Sequence, residues 1–267
     1  MIDFLAFFEE MPTWLKLAWV VGVLAVFWTL EGYYKLKTIK YKKLKHASIN
    51  FVFLLFTLMI NVGFGALTLG VFLWIDTHQF GLLHYLELPI LAELVLSILV
   101  LDLIAQYGVH YLLHKVKWMW RLHIIHHSDT KVDVTTGTRH HPLDFCIRES
   151  FALLAVLVMG MLIAYYLVYR ILSVFFTYFT HANINLGRLD KLLSYVFVTP
   201  KLHKFHHHQE MPWTDTNYGN MFSIWDRLFG TFMDGDTTQI KYGLDIVDNK
   251  KDEDILYQLK LPFIKIK

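Results

Sequence analysis

The sequence predicts an all-α integral membrane helical bundle that carries a histidine-rich di-metal cap on its cytoplasmic side. Three observations predict this class. Of the 267 residues, 55% are hydrophobic and 16% aromatic, a balance that soluble chains do not show. Residues 14–30 and 49–75 carry almost no charge and are long enough to cross a bilayer. Eight of the 15 histidines fall in three tight motifs, His110/His114, His123/His126/His127 and His203/His206/His207.

Residues 1–13 are apolar and acidic, with Asp3, Glu9 and Glu10, and lack the basic start and small-residue cleavage site of a signal peptide. They read as an interfacial lead-in. Residues 14–30 form a first span, charged only at Lys16 near its start. The following stretch, 33–45, carries Lys35, Lys37, Lys40, Lys42, Lys43 and Lys45, an excess of positive charge that marks the cytoplasmic side. A second span, 49–75, crosses with tilt or a bend near Gly63 and Gly65 and ends at Trp74 on the far side. His78 and His84 then lie in a far-side connection, outside the motifs like His46. A third helix is expected to start at Pro89 and run into the first histidine motif. On it Asp102, Gln106, His110 and His114 follow at steps of four, a polar stripe that must face protein. Asp102 lies about 12 Å along the helix from His110, so a histidine it touches has to come from another segment.

Residues 151–180 are apolar except for Arg170. One full span there would strand the third motif across the membrane from the first two. The expectation is therefore a shallow hairpin turning near Gly160, with Arg170 in its second arm needing a partner. Residues 181–267 are polar enough to form a cap, with turn signals at Asn217-Tyr218-Gly219 and an amphipathic tail. The division expected is a single domain, 1–267: transmembrane helices at 1–109, a di-metal cap from 110–148 and 181–232, the hairpin at 151–180 and the tail at 233–267.

Each motif lines one face of a helix, by i, i+4 or by i, i+3, i+4 spacing, so its imidazoles can share a metal. Packed together without a cation they would leave buried nitrogens unpaired or repelling; metal ions satisfy them. Eight imidazoles exceed the three or four ligands of one zinc, so two metals are the economical count. The single cysteine, Cys146, excludes an internal disulfide and thiolate zinc or iron–sulfur sites. There is no His-Glu-x-x-His of a zinc hydrolase and no Glu-x-x-His of a carboxylate-bridged di-iron bundle. A net charge of +2 gives no nucleic-acid partner. Imidazole accepts iron, copper, zinc and nickel alike, and a redox metal beneath apolar helices fits oxygen chemistry on an unreactive C–H bond. A second reading is a histidine-rich membrane metal transporter or metal-binding protein. Transport requires ligands near the bilayer midplane, and the first two spans offer none.

From Asp102 to Phe232 the chain resembles the fatty acid hydroxylase and sterol desaturase superfamily of membrane di-iron enzymes. The resemblance rests on Asp102 ahead of HYLLH, WRLHIIHHSD, DVTTGTRHHP, THANI, TPKLHKFHHH and NYGNMFSIWDRLFGTF, in that order. It implies that His110, His114, His123, His126, His127, His203, His206 and His207 ligate two irons, with His181 a ninth ligand. Zinc can replace iron during purification. Tyr111 and His208 stand where the family commonly has arginine and serine, which leaves His208 outside the ligand set. Asn185 stands where sphingolipid-hydroxylating relatives place a further histidine. His141, in the Arg-x-His-Pro turn after Arg139, is a candidate extra or supporting ligand, and His140 is expected to face solvent. Arg139, Asp102, Asn183, Asn185, Asn217 and Asp226 are candidates to hold the imidazoles through hydrogen bonds or water. The resemblance further implies O2-dependent hydroxylation or desaturation of a sterol, fatty acid or related lipid. Electrons would come from a separate cytochrome b5 or ferredoxin-type donor with its reductase, since the chain has no haem, flavin or nicotinamide motif. The membrane would be the bacterial inner membrane or the endoplasmic reticulum.

Overall fold

The computed structural model describes residues 1–266, whose regular structure is helical; the only β pairings among them are isolated bridges, Lys35 with Ile184 and Phe197 with Phe222. A short α1 (Ile2–Glu9) precedes α2 (Thr13–Tyr33) and α3 (Lys43–His78). One turn, α4 (Leu83–Leu86), leads to α5 (Ile90–Asp102), which has Pro89 as its N-cap and passes through a π-helical stretch, Leu103–Gly108, into α6 (Val109–Lys115). Four helical stretches are long and apolar enough to cross a membrane: Thr13–Tyr33, Lys43–Leu86, Ile90–Lys115 and Ile163–His181. On α3 the outward residues Leu55, Met59 and Val62 are 57%, 61% and 80% exposed, a lipid-facing surface rather than a wetted one. Gly63 and Gly65 interrupt nothing, and α3 is continuous for 36 residues. At about 1.5 Å per residue it outruns a hydrocarbon core of about 30 Å, so its first turns, with buried His46 and Asn50, belong to the cap.

The apolar stretch expected as a shallow hairpin is deep. Its arms are α8 (Pro142–Met159) and α9 (Ile163–His181), joined by Gly160 in the left-handed region (φ +67°). That turn packs on Phe80, Gly81 and His84, beyond the far end of α3, and the Leu82 amide donates to the Val158 carbonyl at 3.1 Å. A Cβ on Gly160 would collide with the Phe80 carbonyl, so close approach and φ both demand glycine. The first arm starts at Pro142, nine residues before the apolar run. Its polar first turns lie in the cap, which gives the arm about 27 Å of length and lets it reach the far side. Arg170 finds Glu149 at 2.5 Å and the side-chain oxygen Oδ1 of Asn61 at 3.1 Å.

Because α2 reaches the cap at its end, where Lys35 bridges Ile184, its start and the preceding α1 lie towards the far end. The lysine-rich segment lies at the opposite end, against the cap. Lys43 pairs with buried Glu31 at 2.9 Å, Lys45 with Glu253 at 2.7 Å, and Lys37 bonds the Ile240 carbonyl. The tail closes over the cap: α13 (Ile255–Lys260) supplies Gln258 to Ser128 at 2.8 Å, and Arg121 holds the carbonyls of Pro262 and Ile264.

Candidate metal centre

The centre is assembled where α6, α7 (Lys117–His127), the end of α9 and α11 (Pro200–His206) converge. Val116 takes an extended conformation (φ −97°, ψ 113°), which breaks α6 from α7 and folds the second motif back onto the first. Pairs 13 residues apart thereby meet: His110 Nε2 lies 3.0 Å from His123 Nε2, and His114 Nε2 lies 3.1 Å from His127 Nε2. Between α9 and α11 comes α10 (Arg188–Leu193). The third motif then enters on α11, which begins with Pro200 at its first position and is capped by the Thr199 hydroxyl, accepting from the Leu202 amide.

Nine histidines form two groups, the ligand atoms within each lying within 4.8 Å of one another. His110, His114, His123, His127 and His206 make one, and His126, His181, His203 and His207 the other. In the second, His181 Nε2 is 3.1 Å from His126 Nε2 and 2.9 Å from His203 Nε2. The remaining ring nitrogens decide what these short separations mean. The Nδ1–H of His110 donates to the Tyr218 carbonyl (2.8 Å), of His114 to Asp215 (3.2 Å), of His123 to Asp144 (2.9 Å) and of His126 to the Arg139 carbonyl (3.3 Å). Likewise His181 donates to the Thr177 carbonyl (2.7 Å) and His206 to the Thr216 carbonyl (2.7 Å). A neutral ring that donates from Nδ1 has a bare lone pair at Nε2, so the His110–His123 and His126–His181 pairs present lone pair to lone pair. Donors about 2.1 Å from a shared ion, and at right angles about it, lie about 3 Å apart. His206 Nε2, His127 Nδ1, His203 Nδ1 and both nitrogens of His207 are buried without any partner among the described residues. The donor set fits two cations, one in each group.

Electrostatics agree. Burial, reinforced by repulsion from neighbouring rings, holds His126, His127, His203, His206 and His207 well below the ordinary imidazole value, and burial pushes His123 down to about 3 against the pull of Asp144. The rings are therefore neutral at physiological pH and able to ligate. Burial opposes ionisation of Asp215, but hydrogen bonds from His114 and Lys115 outweigh it and hold that carboxylate at about 2.

The candidates for supporting roles fare differently. Asp102 touches no histidine; it accepts from the amides of Met221 (3.3 Å) and Phe222 (3.2 Å) and from Trp225 Nε1 (2.9 Å), on and just before α12 (Ile224–Leu228). The π-helical stretch after Asp102 separates its surroundings from those of His110. His141 is an N-cap that accepts from the Leu143 amide and packs on Phe263, outside both groups. Asn183 binds the backbone of Lys37, and Asn185 is exposed and caps the Gly187 amide. Asn217 ties Leu202 to Met233. Asp226 accepts from the Tyr218 amide at 2.8 Å, and so steadies the residue whose carbonyl receives His110. Arg139 acts through its backbone: its carbonyl receives His126, while its buried guanidinium bonds Ile125, Asn50, Ser128 and Asp252.

His140 does not face solvent. It stacks on His126 (ring centroids 4.5 Å apart, 12° between planes), reaches Asp144 at 3.4 Å and lines a cavity between the helices, because the backbone turns at Arg139 before α8 begins. His208 stays outside both groups and stacks on Trp213. His46, outside the motifs, is fully buried 3.4 Å from Asp129. Sequence reasoning missed Asp144 and Asp215, the direct carboxylate partners, and Lys204, whose buried ammonium bonds the His181 carbonyl. The one available signal was Asp144 standing four residues after His140 at the start of a proline-led helix. The carbonyl partners leave no signal in side-chain identity.

The cavity, about 220 Å³, runs down from this centre between α2, α3, α8 and α9. Its upper wall includes Gly137, Thr138, His140 and Thr177; Leu54, Leu58, Ala152 and Val174 line its length.

Among known families, the fatty acid hydroxylase model matches residues 94–231. The ornithine lipid hydroxylase OlsE of Rhizobium tropici is 30% identical over 146 residues, which cover 54% of this chain and 43% of the relative. The alkylglycerol monooxygenase of Homo sapiens is 30% identical over 140 residues, 52% of this chain and 30% of the relative. That of Xenopus tropicalis is 32% identical over 150 residues, with the same shares. The chain thus spans less than half the length of these relatives. No solved structure matches it.

Proposed function

The chain belongs to the fatty acid hydroxylase family, and from that premise we propose that it is an O2-dependent di-iron enzyme that oxidises an aliphatic C–H bond of a membrane lipid. The observation that carries the reading is the pair of buried all-imidazole groups, with lone pairs facing at about 3 Å, above a cavity between membrane helices. In it, His110, His114, His123, His127 and His206 hold one iron and His126, His181, His203 and His207 the other. Bound iron would supply the oxidant, drawn from O2, that takes a hydrogen atom from the lipid.

The chain's own residues supply the rest. Asp144, Asp215 and the carbonyls of Thr177, Thr216, Tyr218 and Arg139 fix the ring orientations and keep the protons on Nδ1. Apolar residues along the cavity exclude water and hold an alkyl chain, and His140 with Gly137 forms the wall between that chain and the centre. Hydroxylation is favoured over desaturation because the similar proteins are named a hydroxylase and monooxygenases. Those names also favour a glycerol- or amino-acid-based lipid over a sterol. The lysine-rich segment, on the same end as the cap, supports a cytoplasmic active site. A separate cytochrome b5 or ferredoxin-type donor with its reductase completes the reaction. The transporter reading loses support from the same geometry: rings clamped at Nδ1 in a closed site suit retention, not release.

The reading is tested by expressing the chain in a host with a suitable reductase under heavy-isotope O2 and analysing the lipids by mass spectrometry. A lipid carrying one heavy oxygen atom, absent with His206→Ala, is expected. Unchanged lipids, or product oxygen drawn from water, would overturn it.

A further inference from the structure

At its lower end the cavity is polar, an arrangement that a plain hydrocarbon chain does not call for. Arg170, Glu149 and Asn61 line it there, joined by the 2.5 Å and 3.1 Å hydrogen bonds from the guanidinium. Tyr169 also lines the cavity and is 1% exposed; its hydroxyl lies towards Gln106 and Ser173 but makes no close hydrogen bond among the described residues. A buried donor left unpaired is costly, and ionisable groups inside a membrane are rare unless they serve a function. An alkyl chain alone would leave Tyr169 unpaired and dehydrate the ion pair further. A group able to accept a hydrogen bond would satisfy both.

Charge narrows the class of that group. Glu149 already neutralises Arg170, so a carboxylate or phosphate brought here would meet a carboxylate at close range with no surplus positive charge to offset it. A neutral oxygen meets no such opposition. Geometry fixes the direction: Tyr169 and Thr177 lie on the same helix eight residues apart, so the polar base lies about 12 Å below the Thr177 end next to the centre. The space between is lined mainly by Leu54, Leu58, Ala152 and Val174, with Gln106 and Ser173 bonded to each other at 3.3 Å on one wall.

We propose that the base of the cavity is a docking site for a neutral oxygen of the lipid, a hydroxyl or ether, received by Tyr169, Asn61 and Arg170. The oxygen there holds an alkyl chain of medium length with its remote carbons at His140 and Gly137. This deepens the lipid-oxidation reading and rests on it for the identity of the cavity's occupant, but the binding itself needs neither iron nor turnover.

The test uses the full chain in lipid nanodiscs and a ten-carbon alcohol carrying a diazirine at the end remote from its hydroxyl. Cross-links are mapped by mass spectrometry, and 1-decanol, decane and decanoate are compared as competitors. Expected are cross-links within residues 137–145 or at Thr177, and competition by 1-decanol at about 10-fold lower concentration than by decane or decanoate, the effect of about one well-made hydrogen bond. Tyr169→Phe and Asn61→Leu should each bring 1-decanol towards decane while leaving competition by decane unchanged, which also certifies that the variants fold. Equal competition by alcohol and alkane, preference for decanoate, or cross-links confined to the Tyr169 end would overturn the proposal. Those outcomes would leave the lipid-oxidation reading standing, because that reading is judged by oxygen incorporation and not by this binding.

Discussion

His206→Ala is expected to abolish oxidation, by more than about 100-fold, and to remove the iron of the five-histidine group, because this ring is fixed by the Thr216 carbonyl and presents an unpartnered Nε2 to the other four. His207→Ala should do the same to the four-histidine group, and so should His181→Ala. The last is the most informative, since His181 reaches the centre only through the deep hairpin of α8 and α9. His78→Ala is the control: His78 is exposed and stacks on Trp74 at the far end, and its loss should leave product formation near wild type at matched expression. Iron content and product, measured together on each variant, check these outcomes. A fully metallated, active His181→Ala protein would contradict its place among the ligands.

The second large effect separates Asp144, on which the sequence makes no claim, from Asp102, which it singles out. Asp144→Asn removes the carboxylate that receives His123 Nδ1 at 2.9 Å and that also anchors Arg148 at 2.9 Å. Iron affinity is expected to fall by about 10- to 100-fold, the usual cost of losing a carboxylate behind a histidine ligand. Asp102→Asn should instead loosen the junction of the π-helical stretch with α12 and lower thermal stability, with iron affinity held within about threefold, since no metal-binding ring depends on it. Iron titration of both variants, with thermal denaturation alongside, distinguishes them. Equal losses of iron affinity would contradict the assignment.

Why Asp102 was legible and Asp144 was not follows from how the site is built. The nine histidines announce themselves because helical spacing places them on common faces within three short segments, and all nine converge. The rings are oriented by partners 21, 101 and 108 residues away, as for His123, His114 and His110, and several of those partners are backbone carbonyls that any side chain would provide. Spacing along one helix carries no record of such contacts. Asp102 drew notice by lying on the stripe with His110, yet the π-helical stretch intervenes and its carboxylate serves another element. The hairpin's turn at Gly160 was readable from the single glycine in an apolar run. Its depth was not, because hydropathy counted only residues 151–180, whereas the first arm borrows its opening turns from the polar segment after Pro142. His140 looked like a surface residue beside a turn; its stacking on His126 depends on where the chain is led after Arg139.

The central claim is that two irons, one in each histidine group, are held by nitrogen alone. It is tested most directly by the iron content of the full chain purified anaerobically from iron-replete cells. The account predicts close to two irons per chain, falling towards one in His206→Ala and in His207→Ala while the protein remains folded. One iron or none in a folded wild-type sample with no other metal in its place would contradict it.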